Sequence, residues 1–109
     1  MWVFCLDGFF SVVEDRNDAA RVLVRGRYRN DIDTLAHKLG TRPQSTPEAD
    51  YPWRVSVSKR EWAAYLAETA AAIDYDNFKN AVAERQGRAR HDVYLDVWST
   101  MAKNARDYG

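Results

Sequence analysis

The chain shows two kinds of residue periodicity, and they dominate different parts of it. Alternation of apolar and polar residues, which is typical of strands, prevails up to residue 57, apart from one short helical segment. After residue 57, apolar residues recur every three to four positions, which is typical of helices. The predicted order of elements is therefore β-β-β-α-β-α-α-α. Strands grouped early and helices grouped late predict an α+β fold, with a mostly antiparallel four-stranded sheet and helices on one of its faces.

The first three strands are predicted from turn chemistry and alternation. Asp7-Gly8 lies between two apolar runs and suits a tight hairpin turn that needs a positive φ angle. The third strand is predicted over residues 21–28, with Gly26 marking either a bulge or a close backbone approach. One face of this strand would hold Val22, Val24 and Tyr28, and the other Arg21, Leu23, Arg25, Arg27 and Arg29.

The segment after the arginines predicts a helix, a loop and a fourth strand. Residues 30–40 have helical spacing and end at Gly40, a natural C-terminal stop. Residues 41–52 are polar and proline-containing, and predict a surface loop. Residues 53–57 alternate and predict the fourth strand.

Three helices are predicted in the remainder of the chain. Ser58 and Glu61 form a capping-box pattern at the start of the second helix. Asp74 is the predicted N-cap of the third helix, which would end near Gly87. The last helix would bury one stripe, formed by Tyr94, Val97, Trp98, Met101 and Ala105.

Length and composition limit the classes of function. The chain has 109 residues, which predicts a single domain over residues 1–109 with one core. Lys+Arg and Asp+Glu are both 16, so there is no positive excess of the kind that phosphate-gripping proteins usually carry. Cys5 is the only cysteine, which excludes an internal disulfide and a multi-cysteine metal site. We expect a cytoplasmic protein with no membrane segment, no cofactor and no metal.

Several motifs together resemble a known family. They are Trp2, the "GFFSVV" stretch over residues 8–13, Arg25-x-Arg27, "ADYPWR" over 49–54, "IDYDNFK" over 73–79, and "YLDVWS" over 94–99. The chain resembles small uncharacterised bacterial and phage-borne proteins with this pattern, departing at Trp53, where tyrosine is common, and in a longer turn around residues 16–20. The resemblance implies one family domain and no particular activity. The phage linkage suggests, by analogy alone, a regulator of a host system.

Weaker motifs favour structural interpretations. Asp74, Asp76 and Asn77 resemble part of a calcium loop, but the spacing fails at Phe78, and helix capping explains these residues better. The histidines, His37 and His91, have no sequence relation to Cys5 that would favour nucleophilic catalysis. A nucleotide-acting enzyme using the loop at residues 41–52 is the third functional class.

The arginine-rich strand is the main functional lead. It predicts an interaction surface formed by Arg25, Arg27, Arg29, Tyr51 and Arg54. Zero net charge with abundant Tyr, Trp and Arg favours a non-enzymatic binding or regulatory module with a protein partner. The alternative is single-stranded nucleic-acid binding by the same face, and the simplest interpretation is the solvated side of a strand, where arginines oppose aggregation.

Overall fold

One antiparallel sheet of five strands is present in the computed structural model, which describes residues 1–108. The strands are β1 (Trp2–Cys5), β2 (Gly8–Asp15), β3 (Asp18–Gly26), β4 (Gln44–Ser45) and β5 (Trp53–Ser58). Their order across the sheet is β1-β2-β3-β5-β4. The helices are α1 (Arg29–Leu39), α2 (Lys59–Ala71), α3 (Phe78–Gln86) and α4 (Arg88–Tyr108).

The α+β class is confirmed, but the prediction of four strands is wrong. The additional strand is β4, which lies inside the segment predicted to be a loop. Its two residues, Gln44 and Ser45, pair with Arg54 and Trp53 of β5. A strand of two residues is too short to show alternation, so the sequence carried no periodic signal for it.

Strand β3 ends two residues earlier than predicted, and this changes where the arginines lie. Gly26 is its last residue, and a Cβ atom there would lie 2.7 Å from Cγ1 of Ile32 in α1. Gly26 therefore serves a close approach of helix to strand, and the irregular register of this hairpin lies instead between Glu14 and Asp15. Tyr28 is the N-cap residue of α1. Arg27 and Arg29 consequently lie outside β3.

Helices α1 and α2 pack on the same face of the sheet. The core between them is built from alternate strand residues and from one side of each helix: Phe10, Val12, Val22, Val24, Ile32, Leu35, Ala36, Val55, Val57, Trp62 and Tyr65. The prediction of helices on one face is confirmed for these two helices. The opposite side of each strand, which includes Ser11, Arg25 and Arg54, remains available for a polar surface.

The chain divides into two compact units, Met1–Ile73 and Asp74–Gly109. The first holds the sheet with α1 and α2, and the second holds α3 and α4. The prediction of a single domain over residues 1–109 stays a prediction. Among residues 1–108, no helix is both long and apolar enough to cross a membrane.

Two predictions for the second unit are wrong in detail. The N-cap of α3 is Asn77, whose side chain accepts a hydrogen bond from Asn80 N at 3.0 Å, and not Asp74. The stripe predicted to be buried on α4 is largely exposed, since Tyr94 is the only buried residue of that helix. Tyr94 stacks on Phe78 of α3, with ring centroids 5.9 Å apart.

Candidate functional site

Two arginines lie against one tyrosine ring in the first unit. The guanidinium carbons of Arg25 and Arg27 are 4.8 Å and 4.6 Å from the ring centroid of Tyr51. Both distances are within the range of a cation–π interaction. The Tyr51 side chain is buried, with 6% of the residue exposed. The ring is therefore a support for two guanidinium groups and is not itself open to a ligand.

A third arginine joins this pair through the sheet register. Arg25 of β3 and Arg54 of β5 are directly opposed partners in the antiparallel ladder. Nη2 of Arg54 donates to the carbonyl oxygen of Tyr51 at 2.9 Å. Its Nε is buried without a hydrogen-bond acceptor among residues 1–108. We call Arg25, Arg27, Tyr51 and Arg54 the arginine cluster.

Local backbone structure holds Tyr51 beneath the guanidinium groups. Tyr51 lies at the end of the loop that follows β4, where Thr46 N donates to the Pro52 carbonyl oxygen at 2.7 Å. The Asp50 carboxylate accepts from the backbone N–H of Tyr51 at 3.0 Å. Arg27 Nη1 donates to the Asp50 carbonyl oxygen at 3.3 Å. These bonds close the loop against the end of β3.

All the hydrogen-bond acceptors of the arginine cluster are neutral groups. Arg25 donates to the hydroxyl and carbonyl oxygens of Ser11, at 2.9 Å and 3.4 Å, and Arg27 and Arg54 donate to backbone carbonyls. Within the described chain, none of these guanidinium groups forms a salt bridge. Arg25 and Arg54 are directly opposed in the sheet, and like charges in such positions are destabilising. Arg25 and Arg27 contact the same ring, so their charges lie within one Debye length of each other, which is about 10 Å at 0.1 M salt. The cluster therefore has uncompensated positive charge that an anionic group would stabilise.

Arg29 belongs to a different environment from the other predicted site residues. Its guanidinium carbon lies 5.3 Å from the ring centroid of Trp53. Its Nε forms an i,i+4 ion pair with Asp33 at 3.4 Å. The structure thus brings together four of the five predicted residues and assigns Arg29 to the first turn of α1.

An aromatic group lies beside the arginine cluster on the same side of the sheet. Trp2 pairs across the ladder with Ser11, which in turn pairs with Arg25. The ring of Phe9 is edge-on to Trp2, stacked on Phe4 at 4.5 Å, and 6.5 Å from Tyr51. Trp2 is 68% exposed, so a large flat side chain is presented near the guanidinium groups.

Sequence reasoning missed a second polar group, centred on the buried carboxylate of Asp7. Tyr65 donates its hydroxyl proton to Asp7 Oδ2 at 2.7 Å, and Lys38 Nζ contacts both carboxylate oxygens, at 3.0 Å and 2.8 Å. The Cys5 thiol lies 3.6 Å from the Tyr65 hydroxyl oxygen. Burial raises the pKa of Tyr65 far above its ordinary value of 10.0, and the hydrogen bond to Asp7 raises it further. The available signal was Tyr65 on an apolar helix stripe, because a buried tyrosine hydroxyl needs a partner.

The remaining candidate residues have local partners. His37 is exposed on α1. His91 Nδ1 lies 2.9 Å from Asp92 Oδ1, and this hydrogen bond is the main reason that the pKa of Asp92 falls below its usual value. In residues 1–108 no three His, Cys, Asp or Glu side chains are grouped in a way that could hold a metal ion.

Comparison of the chain with protein-family models, with curated proteins and with solved structures gave no match. The arginine cluster is therefore the feature from which a function is inferred.

Proposed function

We propose that this chain is a non-enzymatic binding or regulatory module that acts by holding an acidic group of a protein partner at the arginine cluster. The observation that carries the proposal is the convergence of Arg25, Arg27 and Arg54 around Tyr51, with neutral acceptors only. Guanidinium groups bind carboxylates in a planar, often bidentate geometry. A partner glutamate or aspartate would supply the negative charge that the cluster lacks.

Three features favour a protein partner over nucleic acid. The formal net charge is zero, whereas proteins that bind mainly through phosphates are usually basic. The Tyr51 ring is covered, so it does not offer a stacking surface to a base. Arg29 forms an ion pair with Asp33, so its charge is compensated and does not extend the arginine cluster.

Single-stranded nucleic acid remains the second candidate because of Trp2. Its exposed ring lies in the same cross-strand row as Ser11 and Arg25. A base stacked on Trp2 with its phosphate at Arg25 is the arrangement that this candidate requires.

Affinity capture from cells that express the protein naturally tests the proposal and separates the two candidates. Wild-type protein, Arg27→Glu and Arg16→Glu are compared, each with and without nuclease. Arg27 is exposed and belongs to the cluster, while Arg16 is equally exposed in the turn between β2 and β3, so the two variants change charge identically. We expect a defined protein that survives nuclease, is lost with Arg27→Glu and is retained with Arg16→Glu.

Affinity measurements on the captured partner then test the chemistry. Arg27→Glu should weaken binding at least about tenfold, because truncation of an interface hot-spot arginine alone typically costs about 2 kcal/mol or more. Arg27→Lys, which keeps the charge but not the planar fork, should have an intermediate effect. Loss of the captured material on nuclease treatment, or equal binding by Arg27→Glu and wild type, would contradict the proposal.

A further inference from the structure

Helix α4 continues well beyond its last buried residue. Tyr94 is buried, but every residue from Asp96 to Tyr108 is exposed. Isolated helices shorter than about 12–15 residues are marginal in water, and most helical stability in proteins comes from packing of one face. The exposed part of α4, residues 96–108, falls in this range of lengths, so packing against a partner would stabilise it.

The exposed part of α4 carries an apolar stripe. Val93, Val97, Met101 and Tyr108, which we call the α4 stripe, are separated by four, four and seven residues and so lie on one side of the helix. Val97 is 40% exposed and Met101 is 68% exposed. The neighbouring side of α4 is already occupied within this unit, because Tyr94 stacks on Phe78 and Lys79 Nζ lies 4.8 Å from the Trp98 ring centroid.

Two charged residues beside the α4 stripe suggest what covers it. Asp96 and Lys103 are seven residues apart, so they lie on the same flank of the stripe, two turns from each other. Neither forms a salt bridge within residues 1–108. Their charges are opposite, and the midpoint between them along the helix lies between Ser99 and Thr100.

The α4 stripe and its two flanking charges are complementary to the same surface of a second copy. If two copies of α4 pack antiparallel about a two-fold axis near Ser99 and Thr100, Asp96 of each copy lies beside Lys103 of the other, and Val97 lies beside Met101. A two-fold interface uses the same patch on both copies, so the Asp96–Lys103 ion pair forms twice. In a parallel two-fold arrangement the same flanks of the two helices lie on opposite sides of the interface, so Asp96 of one copy would not meet Lys103 of the other.

We propose that α4 is a homodimerisation helix whose stripe is covered by α4 of a second copy in antiparallel orientation. This inference is independent of the arginine cluster. Stable interfaces bury about 1,200–2,000 Å² in total, and a single stripe of a few side chains provides less. The dimer is therefore weak and its population depends on protein concentration.

Sedimentation analysis of the full chain tests the proposal. We expect a monomer–dimer equilibrium between about 1 µM and about 1 mM, the range expected for a small interface. Met101→Lys places a charge in the stripe and should leave the protein monomeric throughout. Ala102→Lys, on the opposite side of the same exposed segment, is the matched control and should dimerise as the wild type does. Circular dichroism checks that both variants keep their helices.

Charge reversal tests the antiparallel orientation. Asp96→Lys should weaken the dimer severalfold, because it replaces two attractive pairs with two repulsive ones. The double variant Asp96→Lys/Lys103→Asp should return to within about twofold of the wild-type dissociation constant. A wild-type protein that is monomeric at about 1 mM, a dimer that is unaffected by Met101→Lys, or a double variant as weak as Asp96→Lys would each overturn the proposal.

Discussion

At the turn between β1 and β2, the Asp31 carboxylate occupies the space that a side chain at position 8 would need. Asp31 is buried, and its Oδ2 accepts a hydrogen bond from Phe9 N at 3.0 Å. Gly8 has a φ of 148°, in the region that favours glycine, and a Cβ atom there would lie 2.2 Å from Cγ of Asp31. The carboxylate can reach the turn only because residue 8 has no side chain.

Replacement of Gly8 by alanine should therefore be strongly destabilising. We expect Gly8→Ala to lower the free energy of unfolding by about 3 kcal/mol, since backbone strain costs about 1–3 kcal/mol and a displaced buried acceptor a similar amount. Gly40→Ala is the control: its φ is 64°, but nothing lies within 4 Å of the added Cβ, so the loss should be about 1 kcal/mol. Urea unfolding followed by tryptophan fluorescence measures both, and equal losses would show that the contact with Asp31 is unimportant.

The hydroxyl of Tyr65 gives the protein a specific sensitivity to alkaline pH. Its pKa is raised in the folded state, mainly by burial and then by the hydrogen bond to Asp7. The unfolded chain loses this proton near pH 10, while the folded chain keeps it. The stabilisation is thus complete below pH 10 and is lost as the pH rises above it, by about 1.4 kcal/mol per pH unit.

Tyr65→Phe removes this titrating group and isolates its effect. We expect the variant to be less stable than wild type by about 1–3 kcal/mol at pH 8, because Asp7 loses a buried donor. Urea unfolding from pH 8 to pH 11 should then show the difference shrinking above pH 10. A difference that is constant across this range would contradict the assignment.

At the scale of elements, interactions that close within a few residues were predictable from the sequence. The predicted hairpin of β1 and β2 is present, although its two turn residues are Leu6 and Asp7, and Gly8 is the first residue of β2, paired with Cys5. The capping box of α2 is also present, with Glu61 N donating to Ser58 Oγ at 3.0 Å and Ser58 N donating to Glu61 Oε1 at 3.4 Å. Elements defined by distant partners were not predictable. Strand β4 exists through its pairing with β5, and the early end of β3 follows from the approach of Ile32 to Gly26.

The capping box of α2 provides a quantitative test at this scale. Ser58→Ala should lower the free energy of unfolding by about 1 kcal/mol, because the backbone N–H of Glu61 loses the Ser58 hydroxyl as its acceptor. Ser58→Asp retains a side-chain acceptor and should recover most of that loss. Urea unfolding distinguishes the two variants, and an alanine variant as stable as wild type would mean that β5 alone positions the start of α2.

At the scale of the whole molecule, composition concealed the charge distribution on which the proposed function depends. The charges sum to zero, yet three carboxylates of the first unit form ion pairs away from the arginine cluster: Lys38–Asp7, Lys59–Glu14 and Arg29–Asp33. The arginine cluster is consequently a local positive region on a neutral chain. Net charge describes the average field of a protein and not the charge at one site.

The predicted grouping of the five residues agrees with the structure for the regular strands and fails for Arg29, and their role as a site stays a prediction. Arg25 and Arg54 were correctly assigned to one surface because they lie in regular strands, and Tyr51 joins them through the turn before β5. Arg29 was assigned by extending the alternation of β3 past Gly26, where the chain already turns into α1. The Asp7 carboxylate and Tyr65 are 58 positions apart in the chain, so only the folded structure brings them together.

The position of Cys5 has a practical consequence. It is the only thiol in the chain, it is buried in β1 at the edge of the sheet, and it lies against the Tyr65 hydroxyl. A thiol reagent can reach it only when β1 separates from β2 or the whole unit unfolds. The rate of labelling, divided by the rate for an exposed thiol, thus gives the equilibrium constant for that opening. Cys5 is therefore a natural probe of local opening at this edge of the sheet, and no cysteine has to be introduced for the measurement.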